Sequence, residues 1–358
     1  MEAGGAGTPQ LAALSAASLV ETDAFGLRRV YAAIAAAESV GGVREQVALL
    51  PGIFVAMTHA GVTAAVTMRV HTALCDATAS RLIDLSVARH GPAPVPFAWL
   101  AFGSGGRGEL SLFSDLDNGL AYADSDDPSV DDWFLWLATE VNGGLQRCGF
   151  TLDPHGVLAT DPDWRMPLSR WVSVFADCLR GWDNDAVMRA AVGFDVRQVA
   201  GDLCVVPALE RIIRQAPFYS RFLLGMAQLG AEIPSPLGFR RRLKGRVDLK
   251  EKALMPVQNL ARYYACAGGL TGSSTLDRLA AVRDAGGHGG EEAESLSRAY
   301  ETMTGLLTRH QAEASRAGLP ECGPLDTGRL SAGDREDLQQ ALRTVAAIQE
   351  RLPRRAAL

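Results

Sequence analysis

A six-residue break, Gly91-Pro92-Ala93-Pro94-Val95-Pro96, constrains this chain more than any other feature. Its alternating prolines fix φ, remove backbone donors and push each preceding residue into extended conformations, so no helix can cross it. The sequence changes character there. From Leu11 to about His90 it is Ala-rich, full of helix formers and without alternation, which predicts several helices behind a Gly- and Ala-rich, disordered first ten residues. Beyond the break, Phe97 to Phe102 (FAWLAF) is a short apolar run ending in glycines, as a buried strand would be. Asn118 to Ala123 reads as a second strand, and Val157–Thr160 and Ala191–Val199 as further candidates. Helices are expected over Trp133–Cys148 and Leu168–Leu179. From about Val205 the pattern is helical again, over Arg211–Leu229, Leu254–Ala267, Ser274–Asp284, Glu291–Ala314 and Ala332–Arg351. The layout is helices, a small α/β unit, then helices.

Composition narrows the function classes. In 358 residues, 35 Lys and Arg face 41 Asp and Glu, a net charge of −6. A mildly acidic chain lacks the basic face that sequence-independent nucleic-acid binding needs. With 47% hydrophobic and 21% charged residues it has the apolar content of a folded protein. Cys75, Cys148, Cys178, Cys204, Cys266 and Cys322 show no C-x-x-C spacing, which argues against a zinc ribbon or dithiol redox motif. The start, MEAGGAGTPQ, has no basic and apolar signal pattern, so a cytoplasmic location is expected. Val47 to Met68 lacks charge over a membrane-spanning length, but Pro51, Gly52, His59 and Gly61 interrupt it; a buried helix or helix pair, not a membrane partner, is expected.

One segment carries chemistry: Gly103-Ser104-Gly105-Gly106-Arg107-Gly108-Glu109, followed by Ser114-Asp115-Leu116-Asp117-Asn118. A strand that runs into Gly-Ser-Gly-Gly and then a helix offers backbone N–H groups and a favourable helix end to a phosphate chain, with the Ser104 hydroxyl added. Asp115 and Asp117 flank a single residue, and on an extended segment that spacing puts both carboxylates on one face. Paired hard oxygen ligands suit Mg²⁺ with phosphate oxygens and waters. Two such ions can align the attacking and leaving oxygens of a phosphoryl displacement. A phosphate turn followed closely by D-x-D describes nucleotidyl transfer. A dinucleotide-binding reading of the glycines fails, because the acidic residues arrive too soon.

These residues resemble the nucleotidyltransferase superfamily pattern G-S-x(n)-S/T-D-x-D. More closely they resemble bacterial nucleotidyltransferases related to the N-terminal region of PII uridylyltransferase (GlnD-like), which show G-S-E-G-R-x-E and then T-D-x-D-N. The similarity continues in Cys148-Gly149-Phe150, Trp164-Arg165, Phe194-Asp195-Val196-Arg197, Gly201-Asp202, Gly245-Arg246-Val247-Asp248-Leu249-Lys250 and Thr275-Leu276-Asp277-Arg278-Leu279, so it covers roughly Leu50 to Ile348. The resemblance implies an α+β fold: a small mixed-sheet catalytic core over 93–205, an N-terminal helical region over 1–92 and a C-terminal helical substrate-binding bundle over 206–358. It implies Mg²⁺, with Mn²⁺ able to substitute, held by Asp115, Asp117 and a third carboxylate. Asp195 is the candidate for that third place, with Asp183 and Asp185 as rivals. Gly103, Ser104, Gly105, Arg107, Ser114, Asp248 and Lys250 are the implied nucleotide-binding residues. The implied reaction moves a nucleoside monophosphate from a nucleoside triphosphate such as ATP or UTP to an acceptor, with a PII-type signalling protein first among the acceptors and a small molecule second.

Several readings stay open at the level of sequence. Gly105 stands where relatives often carry an acid, which keeps a nucleotide-binding regulatory module in play. Arg107 and Glu109 form either a local ion pair or, through Arg107, a triphosphate contact. The basic run Arg240, Arg241, Arg242, Lys244, Arg246, Lys250 and Lys252 is either a solvated face or a wall for an anionic substrate. His155 reads as a loop residue, and Trp133, Trp136, Trp164 and Trp171 read as core.

Overall fold

The structure, a computed structural model, describes residues 23–181, 184–237, 243, 245–272, 274–286 and 289–356. It is mostly helical with a small mixed four-stranded sheet, and divides into two compact units.

The first unit takes the described residues up to Leu168, together with Arg197–Cys204 and Thr308–Cys322. It begins with helices α1 (Leu27–Ala36), α2 (Val40–Val47), α3 (Leu50–His59) and α4 (Ala64–His90). Side-chain oxygens start two of them: Ser39 accepts from the Gly42 amide at 3.1 Å, and Thr63 caps α4. Helix α4 is buried along most of its length. Its Thr72, Thr78 and Ser86 hydroxyls donate to the carbonyls of Met68, Leu74 and Leu82, which satisfies them inside an apolar environment. The helix ends at Gly91, whose φ of 106° suits only glycine, and the proline break follows.

Among the described residues one apolar stretch, Val40–His59, is long enough to cross a membrane by length and composition. It folds as the helix pair α2 and α3, with Val43, Val47, Leu50, Phe54 and Met57 buried.

After the break come β1 (Phe97–Ala101), the single helical turn α5 (Gly103–Gly106), β2 (Asn118–Tyr122), α6 (Ser129–Arg147), β3 (Arg165–Pro167) and later β4 (Arg197–Gly201). The strand order is β3-β2-β1-β4; β1 runs antiparallel to β2 and β4, while β2 and β3 are parallel. Helix α6 lays Phe134, Leu137, Ala138 and Val141 into one core with Trp99, Leu120 and Leu82, so α6 and α4 pack together against one face of the sheet. Gly119 has no room for a side chain: a Cβ would meet Phe102 and the Trp164 carbonyl at 2.7 Å.

Two strand expectations change. Val157–Thr160 forms turns, closed by Leu158 N–H to Gly156 O and Asp161 N–H to Leu158 O. The third strand is instead Arg165–Pro167. Its Arg165 is buried because Asp131 accepts from Nε and Nη2 along one guanidinium edge, at 3.0 and 3.1 Å, while Nη1 donates to the Ala159 and Thr160 carbonyls. Burial raises the Asp131 carboxyl, but Arg165 and the Tyr122 hydroxyl outweigh it and hold the group below the usual carboxylate range. In Ala191–Val199 the first residues end a helix, and the strand starts only at Arg197.

The second unit holds the described residues of Ser169–Val196, Val205–Leu307 and Gly323–Leu358. It contains α7 (Leu168–Arg180, from Ser169), α8 (Asn184–Gly193), α9 (Val206–Ile213), α10 (Ser220–Glu232), α11 (Met255–Ala267), α12 (Thr275–Asp284), α13 (Gly290–Arg316, to Leu307) and α14 (Ala332–Ala356). The single helix expected over Arg211–Leu229 is broken into α9, a 3₁₀ turn at Ala216–Phe218 and α10, because Pro217 cannot donate within a helix. Strands β5 (Arg246–Val247) and β6 (Leu325–Asp326) form a short antiparallel pair.

Candidate metal and nucleotide site

The D-x-D segment sits just ahead of β2, pinned on both sides by backbone pairing. Leu116 N–H donates to Thr151 O at 2.9 Å, Asp153 N–H to Leu116 O at 3.2 Å, and Phe102 N–H to Asp117 O at 3.1 Å. The parallel bridge between Leu116 and Leu152 brings the Asp153 carboxylate beside Asp115 and Asp117. One oxygen from each of the three lies within 4.8 Å of the others. Asp153 is 7% exposed, and its Oδ2 accepts from the His155 and Val157 amides at 3.0 and 2.8 Å. These bonds leave its Oδ1 without a protein hydrogen bond among the described residues. Three converging carboxylates, all oxygen donors, fit a hard divalent cation such as Mg²⁺.

Asp195, expected in the third place, is held by two arginines. It lies in the turn before β4, almost wholly buried, and belongs to the second unit. Its Oδ2 accepts from Arg262 Nη2 at 2.6 Å, and its Oδ1 accepts from Arg278 Nη1. Arg278 also donates to Phe194 O at 3.0 Å, and Arg262 to Asn259 Oδ1 at 2.9 Å. The group joined with Asp115 and Asp117 is Asp153. Of the rival positions, Asp183 and the Asp185 side chain lie outside the described residues.

The glycine turn meets these carboxylates directly. Gly103 has φ 52°, and a Cβ there would overlap Asp117 Oδ2. Glycine is therefore needed for the backbone to approach the carboxylate. Glu109 N–H donates to Ser104 O at 2.8 Å and closes the turn. Arg197 fixes it from beneath, donating to Gly105 O at 2.7 Å while holding Asp76 at 2.6 and 3.1 Å. Burial raises the Asp76 carboxyl and Arg197 pulls it back. Arg107 and Glu109 form a buried ion pair, Nε to Oε2 at 2.7 Å, so of the two readings for this pair the local one is present. Ser114 works inside its own loop: its hydroxyl accepts from the Ser111 amide and lies 3.0 Å from the Ser111 hydroxyl. Gln311 completes that knot by accepting from Leu112 N–H at 3.0 Å and donating to Ser111 at 3.1 Å.

In the second unit, Asp248 accepts from Glu251 N–H at 2.9 Å and so starts the π-helical turn Lys250–Leu254, with Lys250 and Lys252 exposed. Arg240, Arg241, Arg242 and Lys244 lie outside the described residues.

This geometry sets a glycine turn against three converging carboxylates on a small mixed sheet, an arrangement that could hold a metal ion. Residues 49–185 match the family described as Putative nucleotidyltransferase DUF294, and residues 220–356 match the Putative nucleotidyltransferase substrate binding domain, DUF294_C. Together these two matches cover most of the chain, which is similar to these families over those ranges. No curated protein matches the chain.

Proposed function

We propose that the protein transfers a nucleoside monophosphate from a nucleoside triphosphate to an acceptor hydroxyl and releases pyrophosphate. The observation that carries this reading is the convergence of Asp115, Asp117 and Asp153 within 4.8 Å beside the Gly103–Gly106 turn. The three carboxylates would hold Mg²⁺ or Mn²⁺, which supplies charge neutralisation for the phosphates when bound. Gly103, Ser104 and Gly105 present the first amides of a helical turn, which have no partner within it, to the triphosphate. Arg197 and the Arg107–Glu109 pair keep the turn in place. The acceptor oxygen attacks the α-phosphorus in line, the bond from that phosphorus to the bridging oxygen of the β-phosphate breaks, and pyrophosphate leaves. The hydroxyl proton passes to a carboxylate of the site. Positioning and charge neutralisation supply most of the rate.

The substrate-binding domain at 220–356 is the part that would choose the acceptor. Asp248 and Lys250 belong to that domain's match, and Lys250 is exposed, so we assign them to contacts with nucleotide or acceptor. A protein acceptor of PII type, modified on a tyrosine in the cytoplasm, is our first assignment, and a small-molecule hydroxyl is the second.

The test is transfer from α-labelled ATP, UTP, GTP and CTP with Mg²⁺ or Mn²⁺, using cell lysate as acceptor pool. A labelled product that disappears in Asp115→Asn and Asp153→Asn supports the reading. Nucleotide binding without label transfer, unchanged by either substitution, would replace it with a regulatory binding module.

A further inference from the structure

A cavity in the first unit lies behind the D-x-D segment. It encloses about 260 Å³ and is lined from α2, α3 and α4, from the 110–116 segment and from Cys148-Gly149-Phe150. Three features give it the character of a binding site for something other than the triphosphate. First, its lining contains no Lys, Arg, Asp or Glu. Leu50, Leu110, Leu112, Leu116 and Phe150 supply an apolar surface, with the Ser111 and Ser114 hydroxyls at one wall. An anion would find no countercharge there.

Second, the lining includes His71, which is 8% exposed and makes no hydrogen bond among the described residues. Its ring packs edge-on against Phe54, with centroids 5.5 Å apart. Burial pushes the imidazole down to about 4, so it is neutral at physiological pH and carries one N–H donor and one acceptor nitrogen. A ring nitrogen that faces a cavity without a protein partner is open to a bond from whatever occupies it. Third, the volume falls just under the ~300–1,000 Å³ typical of pockets for drug-sized ligands, which leaves room for a one- or two-ring compound.

We propose that this cavity binds a small neutral, largely apolar molecule that gives His71 the hydrogen bond the protein does not. The site goes beyond the transferase reading and stands without it. Alternation along the extended segment sends Leu116 into the cavity wall, between the carboxylate-bearing Asp115 and Asp117. An occupant therefore presses on the same short segment that carries the carboxylates.

Indole is a suitable probe, being neutral, two-ringed and equipped with one N–H for the acceptor nitrogen of His71. The protein, labelled at backbone amides and at histidine ring nitrogens, is titrated with indole and followed by NMR. Saturable one-site binding is expected, with shifts in the His71 ring nitrogens and the Ser111–Leu116 amides. His71→Phe, which keeps an aromatic ring and removes the acceptor, should weaken indole by about fivefold, the worth of one neutral hydrogen bond. Indole-3-carboxylate should bind at least about tenfold more weakly than indole, since a buried charge would go unpaired. The wild-type titration decides the matter even if His71→Phe does not fold. No saturable binding, or shifts that leave His71 untouched, would each overturn the proposal.

Discussion

At the scale of single residues, the site depends on close approach. Gly103→Ala puts a Cβ onto Asp117 Oδ2 at a backbone angle that already disfavours side chains. Mn²⁺ affinity should fall at least about tenfold, measured by paramagnetic relaxation. Gly108, at φ 70° with open space where a Cβ would stand, is the control. Gly108→Ala should cost about 1 kcal/mol of stability from backbone strain and leave Mn²⁺ binding unchanged. His71 gives a pH signature. Its folded value near 4 lies below the unfolded 6.5, so the unfolded chain takes up the proton first. Stability is complete above about 6.5, declines as pH falls toward 4, and loses roughly 3 kcal/mol over that window. Subtracting the urea-unfolding profile of His71→Phe from that of wild type should isolate this slope, and parallel profiles would contradict it. Asp115 and Asp117 were legible from their spacing alone. Asp153 was not, because it reaches them through the non-local pairing of Leu116 with Leu152. The signal that could have found it is the Asp-Pro-His-Gly turn, where an aspartate commonly accepts from amides two residues on, as Asp153 does from His155.

At the scale of elements, periodicity and punctuation performed well where the forces are local. The strands at Phe97 and Asn118 and the helices at Leu168, Leu254, Ser274, Glu291 and Ala332 follow from apolar pattern and caps. Ser274 heads α12 with a full capping box, its hydroxyl accepting from Asp277 N–H at 3.0 Å. Ser274→Ala should lower stability by about 1 kcal/mol in urea unfolding, and an unchanged midpoint would deny the cap its role. Strand β3 escaped detection because Arg165 and Pro167 make a poor strand on propensity; the Asp131 pair and pairing with β2 override that. The strand expected around Asp195 fails for a related reason. GFDVRQV looks like one apolar strand, yet its front half ends a helix, and the acid is buried to hold Arg262 and Arg278. Asp195→Ala strands two buried cations and should cost about 3–5 kcal/mol. Mn²⁺ affinity of the folded fraction should stay as in wild type, whereas Asp153→Ala should lower it. The opposite pattern would place Asp195 in the metal site.

At the scale of the whole molecule, the succession of helices, small sheet and helices was readable because composition shifts sharply at the proline break. The interleaving of the two units was not. Ser169–Val196 joins the second unit and Thr308–Cys322 the first, an exchange fixed by long-range packing that no local composition announces. If the carboxylate triad binds metal-nucleotide, ligand should stabilise the fold by mass action. A non-hydrolysable triphosphate with Mg²⁺ at about a hundred times its dissociation constant should add about 2.7 kcal/mol, read as a shift in the unfolding midpoint that Asp117→Asn removes. The most direct measurement remains nucleotidyl transfer itself: α-labelled nucleoside triphosphates, divalent metal and an acceptor pool, with wild type beside Asp115→Asn and Asp153→Asn. The account predicts metal-dependent label transfer with stoichiometric pyrophosphate in wild type, and a loss of at least about a hundredfold in each variant. Transfer that persists in Asp153→Asn at the wild-type rate would contradict the three-carboxylate site.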